Sequence, residues 1–467
     1  MPDAAVTVLG SGTAGLATAL VLARDGNRVR LIERDTFEPG GPADAVHWPR
    51  KGVPQFLLPH SFIPRGRAEL RRHLPDVYAA LLAAGAAEVD VRPKLPGTLT
   101  DADDDLRFLA VRRPLVDWAL MQAVIADARI DVRTGSTVDG LRAADGRISA
   151  VVVDGAMLPV DLVVDALGRR SRTARWLVEA GVASADSESN DCHVTYYSRY
   201  YRLKAGCELP DGPWLRGPRG DLGYLGFAAF HGDNGTVAAL LEVPAGVPEW
   251  RVLNDPAAFE RAVAAIPALR QWADAERVDP ITGVAAMAGL RNTIRSYDGY
   301  RVTGLVPVGD AYSHTDPVLA HGLSFALIHA SALAACLREH RDRDDALASY
   351  AAATAPALRQ RFEFATRLDE QRRRLWNGET VDFTRPDGGA YELFTFVAGG
   401  AAALVDPDVF RVVVRRLGLL DGTDVLDSDV ELQQRIAGIF AGMLATPRPR
   451  PGPSRDEMLA LAGRPLG

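Results

Sequence analysis

The sequence predicts an α/β protein: a Rossmann-like nucleotide-binding domain, a β-sheet substrate domain inserted into it, and a C-terminal helical region. Three observations predict this. A strand, glycine turn, helix and second strand open the chain, strand-forming aromatic segments crowd residues 192–293, and apolar helical periodicity dominates from His321 onward. The expected divisions are residues 1–185 with 294–345 for the nucleotide-binding domain, 186–293 for the β-rich domain and 346–467 for the helical region. A length of 467 residues exceeds one ordinary core and suits such a partition.

The opening strand is Ala5-Val-Thr-Val-Leu9, followed by Gly10, Gly12 and Gly15 in the G-x-G-x-x-G pattern, with Ala14 before the last glycine. Gly10 permits a tight turn, Gly12 lets the backbone approach a pyrophosphate, and Gly15 lets helix pack on strand. The helix N-terminus then faces the phosphates. A second strand, Val29-Arg-Leu-Ile32, ends on Glu33, placed to accept hydrogen bonds from a ribose, with Arg34 beside it. The motif alone leaves FAD and NAD both open.

Composition excludes several classes. A net charge of -7 leaves no basic excess for neutralising phosphates, so nucleic acid is not expected as a partner. The apolar run Ala4–Ala23 imitates a membrane span, but its glycines and Ser11, Thr13 and Thr18 fall at motif positions. No membrane span or signal peptide is therefore expected. Cys192, Cys207 and Cys336 have no metal-ligand spacing, so no metal site is expected and a reduced cytoplasm suits them. Of the 53 basic residues only Lys51, Lys94 and Lys204 are lysines, which marks them for inspection.

Further along, Pro39-Gly-Gly-Pro42 and Trp48–Gln55 read as irregular loops, of the kind that carries function in a compact domain. Helical patterns are expected over Arg65–Gly85 and then over Arg113–Val124, where Pro114 suits a first turn. Ile130–Arg133 reads as a strand, Val138–Val153 as a hairpin turning at Asp145-Gly146, and Leu162–Asp165 as a buried strand. In the β-rich segment the strands are Val194–Leu203, Tyr224–Phe230 and Val237–Val243, the last two joined at Asp233-Asn-Gly235. Gly304–Asp310 repeats the opening style of apolar strand, glycine and acid. His321–His340 reads as a long apolar helix, and the Pro- and Arg-rich tail Thr446–Gly467 as loosely held.

The fingerprint, Val164-Asp-Ala-Leu-Gly-Arg-Arg-Ser171, and Val308-Gly-Asp-Ala311 followed by Asp316-Pro-Val-Leu-Ala-His-Gly-Leu323 occur in the order of the FAD-dependent monooxygenases of the aromatic-hydroxylase fold, related to p-hydroxybenzoate hydroxylase. The chain resembles that family over roughly its first 340 residues. The resemblance implies FAD as cofactor, with Asp310 after Gly309 on the ribityl hydroxyls and Pro317, Gly322 and Leu323 at the pyrimidine edge of the flavin. It implies that Arg113 touches the phosphates or ribityl chain, that Val138 lies beside the adenine, and that Gly168 belongs to the cofactor set. A helix N-terminus opposite that edge suits the negative charge of reduced flavin.

Leu167 stands before Gly168 where family members that accept hydride directly usually carry Asp. NAD(P)H acting directly and a separate flavin reductase both stay open as electron source. Asp165-Ala-Leu-Gly-Arg169 is closer to flavin halogenases and polyether-type epoxidases, and Pro49–Gln55, His60, Arg113–Trp118 and Tyr197–Arg202 resemble the polyether and squalene epoxidase-like branch. That branch implies O2, a flavin hydroperoxide and epoxidation or hydroxylation of an apolar natural-product substrate in a dry pocket. His321, His60 and Arg65 are the catalytic candidates, histidine being suited to proton transfer near neutral pH. The alternatives are a flavin halogenase using Lys94, although the Trp-x-Trp-x-Ile-Pro signature is absent, an oxidase or desaturase, and a flavin-binding protein without turnover.

Overall fold

The computed structural model describes residues 6–37, 40–95, 99–182, 186–209, 217–296, 303–447 and 449–463. Ala5 of the expected first strand, Pro39 of the expected loop and residues 464–467 of the tail lie outside them. Five parallel strands form the central sheet: β1 (Val6–Leu9), β2 (Val29–Ile32), β3 (Ile130–Arg133), β4 (Val163–Asp165) and β5 (Leu305–Pro307), in the order β5-β4-β1-β2-β3. All five were legible as strands. The three at β5-β4-β1 are buried at every residue, as a parallel sheet covered on both faces requires.

Helices α1 (Thr13–Arg24), α2 (Arg113–Ala126) and α3 (Gly322–Glu339) supply Leu16, Leu20, Leu120, Leu327 and Leu333 to one core with Val6, Val8 and Leu31. On the opposite face Leu9, Ile32 and Val163 pack with Leu141, Ile148 and Val151 of an antiparallel meander, Val138–Ala144, Arg147–Val153 and Ala156–Pro159. Its first turn has positive φ at both Asp145 (51°) and Gly146 (75°), as a two-residue hairpin needs.

The inserted sheet runs Arg219–Asp221, Gly226–His231, Thr236–Pro244, Val194–Leu203 and Val278–Pro280, with Ala285–Met287 also paired to Val194–Leu203. Strand alternation gives it two different faces. Tyr197, Tyr201, Phe227 and Leu241 turn to an outer core with Trp250, Phe259 and Trp272, and so serve folding. Tyr196, Ala228 and Leu240 turn inward.

The helical patterns over Arg65–Gly85 form two helices, Pro64–His73 and Pro75–Ala83, because Pro75 forces Leu74 out of helical geometry (φ -136°). The structure departs from expectation at the C-terminal tail. The tail is not loose: Ser454 and Glu457 form a capping box on helix Arg455–Ala462, Met458 is fully buried in the outer core of the inserted sheet, and Arg261 donates to the carbonyls of Leu461 and Ala462 at 3.0 and 2.8 Å. Between these regions runs α4 (Arg343–Trp376), 34 residues long. Helices Pro407–Leu417 and Val430–Ala445 contribute Val413 and Ile436 to a separate core. Among the described residues no helix is long and apolar enough to cross a membrane, and all three cysteines are free.

Candidate active site

A cavity of about 950 Å³ opens at the carboxyl ends of β1, β4 and β5 and extends under the inserted sheet. Crevices at strand ends are where open α/β sheets bind ligands. The glycine turn builds one end. Gly10 has φ 96°, and a Cβ there would lie 2.7 Å from the Ala166 carbonyl oxygen; one at Gly15 would lie 1.9 Å from the Gly10 carbonyl oxygen. The turn closes only with hydrogen at those positions. Gly12, by contrast, is open, its nearest neighbour being the Arg113 guanidinium at 3.8 Å.

Glu33 accepts from the Ser11 amide and hydroxyl, both at 2.7 Å, and from the Asp35 amide at 2.9 Å. Arg50 bonds the Ser11 hydroxyl and carbonyl at 3.0 and 2.7 Å while lying over the Trp48 ring at 4.2 Å. The irregular loop Trp48–Gln55 is thereby latched onto the fingerprint. Sequence reasoning singled out the loop but not Arg50; an arginine next to Trp and Pro in an aperiodic segment was the available signal. Arg113, at the start of α2, contacts Asp117 at 3.3 Å, and Asp117 accepts from the Thr13 hydroxyl at 2.6 Å.

The second and third motifs meet the first here. Gly168 has φ 72°, and Asp165 accepts from the Leu167 amide and the Ser171 hydroxyl at 3.0 and 2.6 Å. Arg295 staples the motifs together by donating to the carbonyls of Arg169, Asp310 and Ala311. Gly309 has φ 57°, and a Cβ on it would lie 2.7 Å from that of Ala14. Its amide donates to His329 Nδ1 at 2.8 Å, and burial holds that imidazole neutral, its pKa lowered to about 3. A Cβ on Gly322 would stand 3.8 Å from the Asp310 carboxylate, so acid and α3 N-terminus share one corner. Gly10, Gly12, Ala14, Glu33, Arg34, Arg113, Val138, Gly168, Gly309, Asp310, Pro317, Gly322 and Leu323 all line the cavity; Gly15 does not, and serves the turn.

The loop from Asp316 to Gly322 is held from both sides. Asp316 caps its first turn by accepting from the Val318 amide at 3.0 Å, and also accepts from the Tyr196 hydroxyl of the inserted sheet. Its amide donates to Asn292 at 2.7 Å, and Asn292 donates to Asp369 of α4 at 2.7 Å. Burial, then the adjacent Asp316 carboxylate, holds Asp369 protonated well above the ordinary range. Arg372, also on α4, binds Glu242 of the sheet and lies 3.7 Å from Asp316. The Tyr196–Asp316 and Arg372–Glu242 connections join residues 120 and 130 positions apart, which no local pattern reveals.

Both candidate histidines line the cavity. The His60 Nδ1–H donates to the Leu58 carbonyl at 2.8 Å, which leaves Nε2 as the basic nitrogen. Burial, then Arg113, lowers its pKa to about 4. His321, 3% exposed, caps α3; burial, then Arg361 and Arg416, keeps it neutral, and neither ring nitrogen has a hydrogen-bond partner among the described residues. The structure does not bring Arg65 into the cavity: its guanidinium is 40% exposed and paired with Glu69 at 2.7 Å. Nor does it bring Lys94, which is exposed at the end of the turn Arg92–Lys94.

No protein-family model matches the chain. The 6-methylpretetramide 4-monooxygenase of Streptomyces rimosus is 27% identical over 468 residues, covering 91% of this chain and 94% of its own. Among solved structures, PqsL, a probable FAD-dependent monooxygenase from Pseudomonas aeruginosa, superposes with a TM-score of 0.59 at 18% identity, over 80% of this chain and 99% of its own. The myxobacterial chondrochloren halogenase CndH, a FAD-dependent halogenase, superposes with a TM-score of 0.61 at 18% identity, over 98% and 99%. The chain has the fold of FAD-dependent monooxygenases and halogenases.

Proposed function

We propose that the protein is an FAD-dependent monooxygenase that hydroxylates or epoxidises a small organic molecule. The observation that carries this reading is the convergence of three motifs separated by nearly 300 residues on one cavity that continues beneath the inserted sheet. The donor set fits a flavin dinucleotide: an open glycine backbone beside Arg113 for the pyrophosphate, Glu33 for the ribose, and Asp310 for the ribityl hydroxyls. Bound FAD would supply the two-electron redox chemistry by which O2 is used. The α3 N-terminus and the Pro317–Gly322 backbone stabilise negative charge at the inner end. His60 offers a neutral Nε2 to hold or pass a proton, and His321 is the second such group. Ala228, Leu240 and Leu290 line the far wall and keep water from the reacting end. Arg65, already paired with Glu69, has no part in this proposal.

Electrons come from NAD(P)H directly or from a separate reductase, and the same assay distinguishes the two. Purified protein should be yellow after FAD loading and should turn over aromatic or alkene substrates in air. NADH, NADPH and a flavin reductase are supplied in parallel, with and without bromide. A colourless protein that takes up no FAD overturns the reading, and halide incorporated into product replaces it with halogenation.

A further inference from the structure

The inner wall of the cavity carries a guanidinium that makes no hydrogen bond to another described residue. Arg219 lies on the short edge strand Arg219–Asp221, lines the cavity, and stacks over the Phe396 ring at 4.4 Å. It donates no hydrogen bond to any described residue. The acids of that wall beside it are already engaged: Glu242 is bound by Arg372, and Asp316 by Tyr196 and the Val318 amide; Asp221, two residues on, accepts from the Trp376 indole at 2.9 Å. Burial disfavours the Arg219 charge, and among the acids Glu242 supports it most. A guanidinium brings five N–H donors in a planar fork, and stacking on Phe396 satisfies none of them. The fork therefore faces a cavity whose adjoining wall, Ala228, Phe230, Leu240 and Leu290, is apolar.

We propose that Arg219 anchors a planar two-oxygen anion on the substrate, a carboxylate or the enolate of a dicarbonyl, whose hydrocarbon body lies along Ala228, Phe230, Leu240 and Leu290. The sequence-based expectation of a largely apolar substrate is thus refined: the body is apolar and one end is acidic. Arg219 is a specificity-determining residue, since a fork aimed at two coplanar oxygens discriminates against ligands that lack the charge. The inference rests on the proposed function in taking this cavity as the substrate site.

The test uses FAD-loaded full-length protein and ligands read by their own naphthalene fluorescence. 2-Naphthoate should bind about tenfold or more tightly than 2-naphthamide, the neutral shape analogue. Arg219→Gln should abolish that preference while leaving FAD content unchanged. Arg219→Lys keeps the charge without the fork and should retain the preference with affinity reduced severalfold, which guards against a misfolded glutamine variant. Displacement of naphthoate by dimedone assigns the site to enolates as well; failure to displace restricts it to carboxylates. Equal affinity for naphthoate and naphthamide, no naphthoate binding at all, or a preference that survives Arg219→Gln overturns the proposal. The naphthoate titration reads the ligand and not the flavin, so failure to load FAD counts against the proposed function alone.

Discussion

The two ends of the cavity are built by opposite means. At the nucleotide end the backbone sets the shape: glycines at 10, 12 and 309 bring main chain against the cavity, and the charged groups beside it, Glu33, Arg113 and Asp310, lie next to those turns. Under the inserted sheet buried side chains do it: Arg372 joins Glu242 and Asp316 across three segments, protonated Asp369 is tied in through Asn292, and Arg219 stands beside them with no hydrogen bond to a described residue. A ligand shared by many proteins is met by an invariant backbone shape, whereas a private ligand is met by side chains that substitution can change. The first arrangement places its cost in glycine's lost conformational freedom, the second in desolvated charge.

The contrast is sharpest at Arg372. Arg372→Met leaves Glu242 and Asp316 as buried carboxylates without their guanidinium and should destabilise the fold by about 3–5 kcal/mol in urea unfolding. FAD affinity of the surviving folded fraction should change little. A stability loss below 1 kcal/mol, about the worth of a surface pair, would mean that the wall is solvated and the contrast false.

Asp310→Ala should show the reverse pattern. Its carboxylate accepts no hydrogen bond from the described residues and stands at the cavity beside Gly322, so unfolding of the apoprotein should be nearly unchanged. FAD affinity should fall by about tenfold to a hundredfold, the worth of hydrogen bonds to a charged acceptor. Unaltered flavin retention in equilibrium dialysis would remove Asp310 from the cofactor set.

A smaller effect follows from the neutral histidines. His60, with pKa about 4 in the fold against an ordinary 6.5, refuses a proton that the unfolded chain accepts. Stability contributed by the neutral form is therefore complete above pH 6.5 and declines as the pH falls toward 4, by about 1.4 kcal/mol per unit. His329, lowered to about 3, adds a parallel slope. His60→Gln should reduce proton uptake on unfolding at pH 5 by about one; an unchanged slope would show that His60 is solvated.

This division also explains what was legible in the sequence. Gly10, Gly12, Gly15 and Glu33 lie within one strand–turn–helix–strand unit, so their spacing encodes their geometry. Gly309-Asp310 and Asp316–Leu323 were readable for the same reason, each being a single turn. The Tyr196–Asp316, Asn292–Asp369 and Arg372–Glu242 contacts depend on how an inserted sheet meets a long helix, and period-2 or helical patterns carry no record of that. Arg65 was singled out as a polar candidate and Lys94 by lysine scarcity and a halogenase-like stretch, and the structure puts both outside the cavity. The helix break at Pro75 was written in the sequence, as proline disfavours helical geometry in the residue before it.

The helix Arg455–Ala462 has a consequence for how the chain folds. Met458 and Ala462 complete a core whose other members, from Tyr197 to Val278, lie about 180 or more residues earlier. The inserted sheet therefore leaves the ribosome with Trp250, Phe259 and Phe227 only partly covered, and its outer layer closes only once Arg455–Ala462 has been synthesised. The central parallel sheet, by contrast, has all five of its strands once β5 is made, and its helical cover follows with α3 and α4.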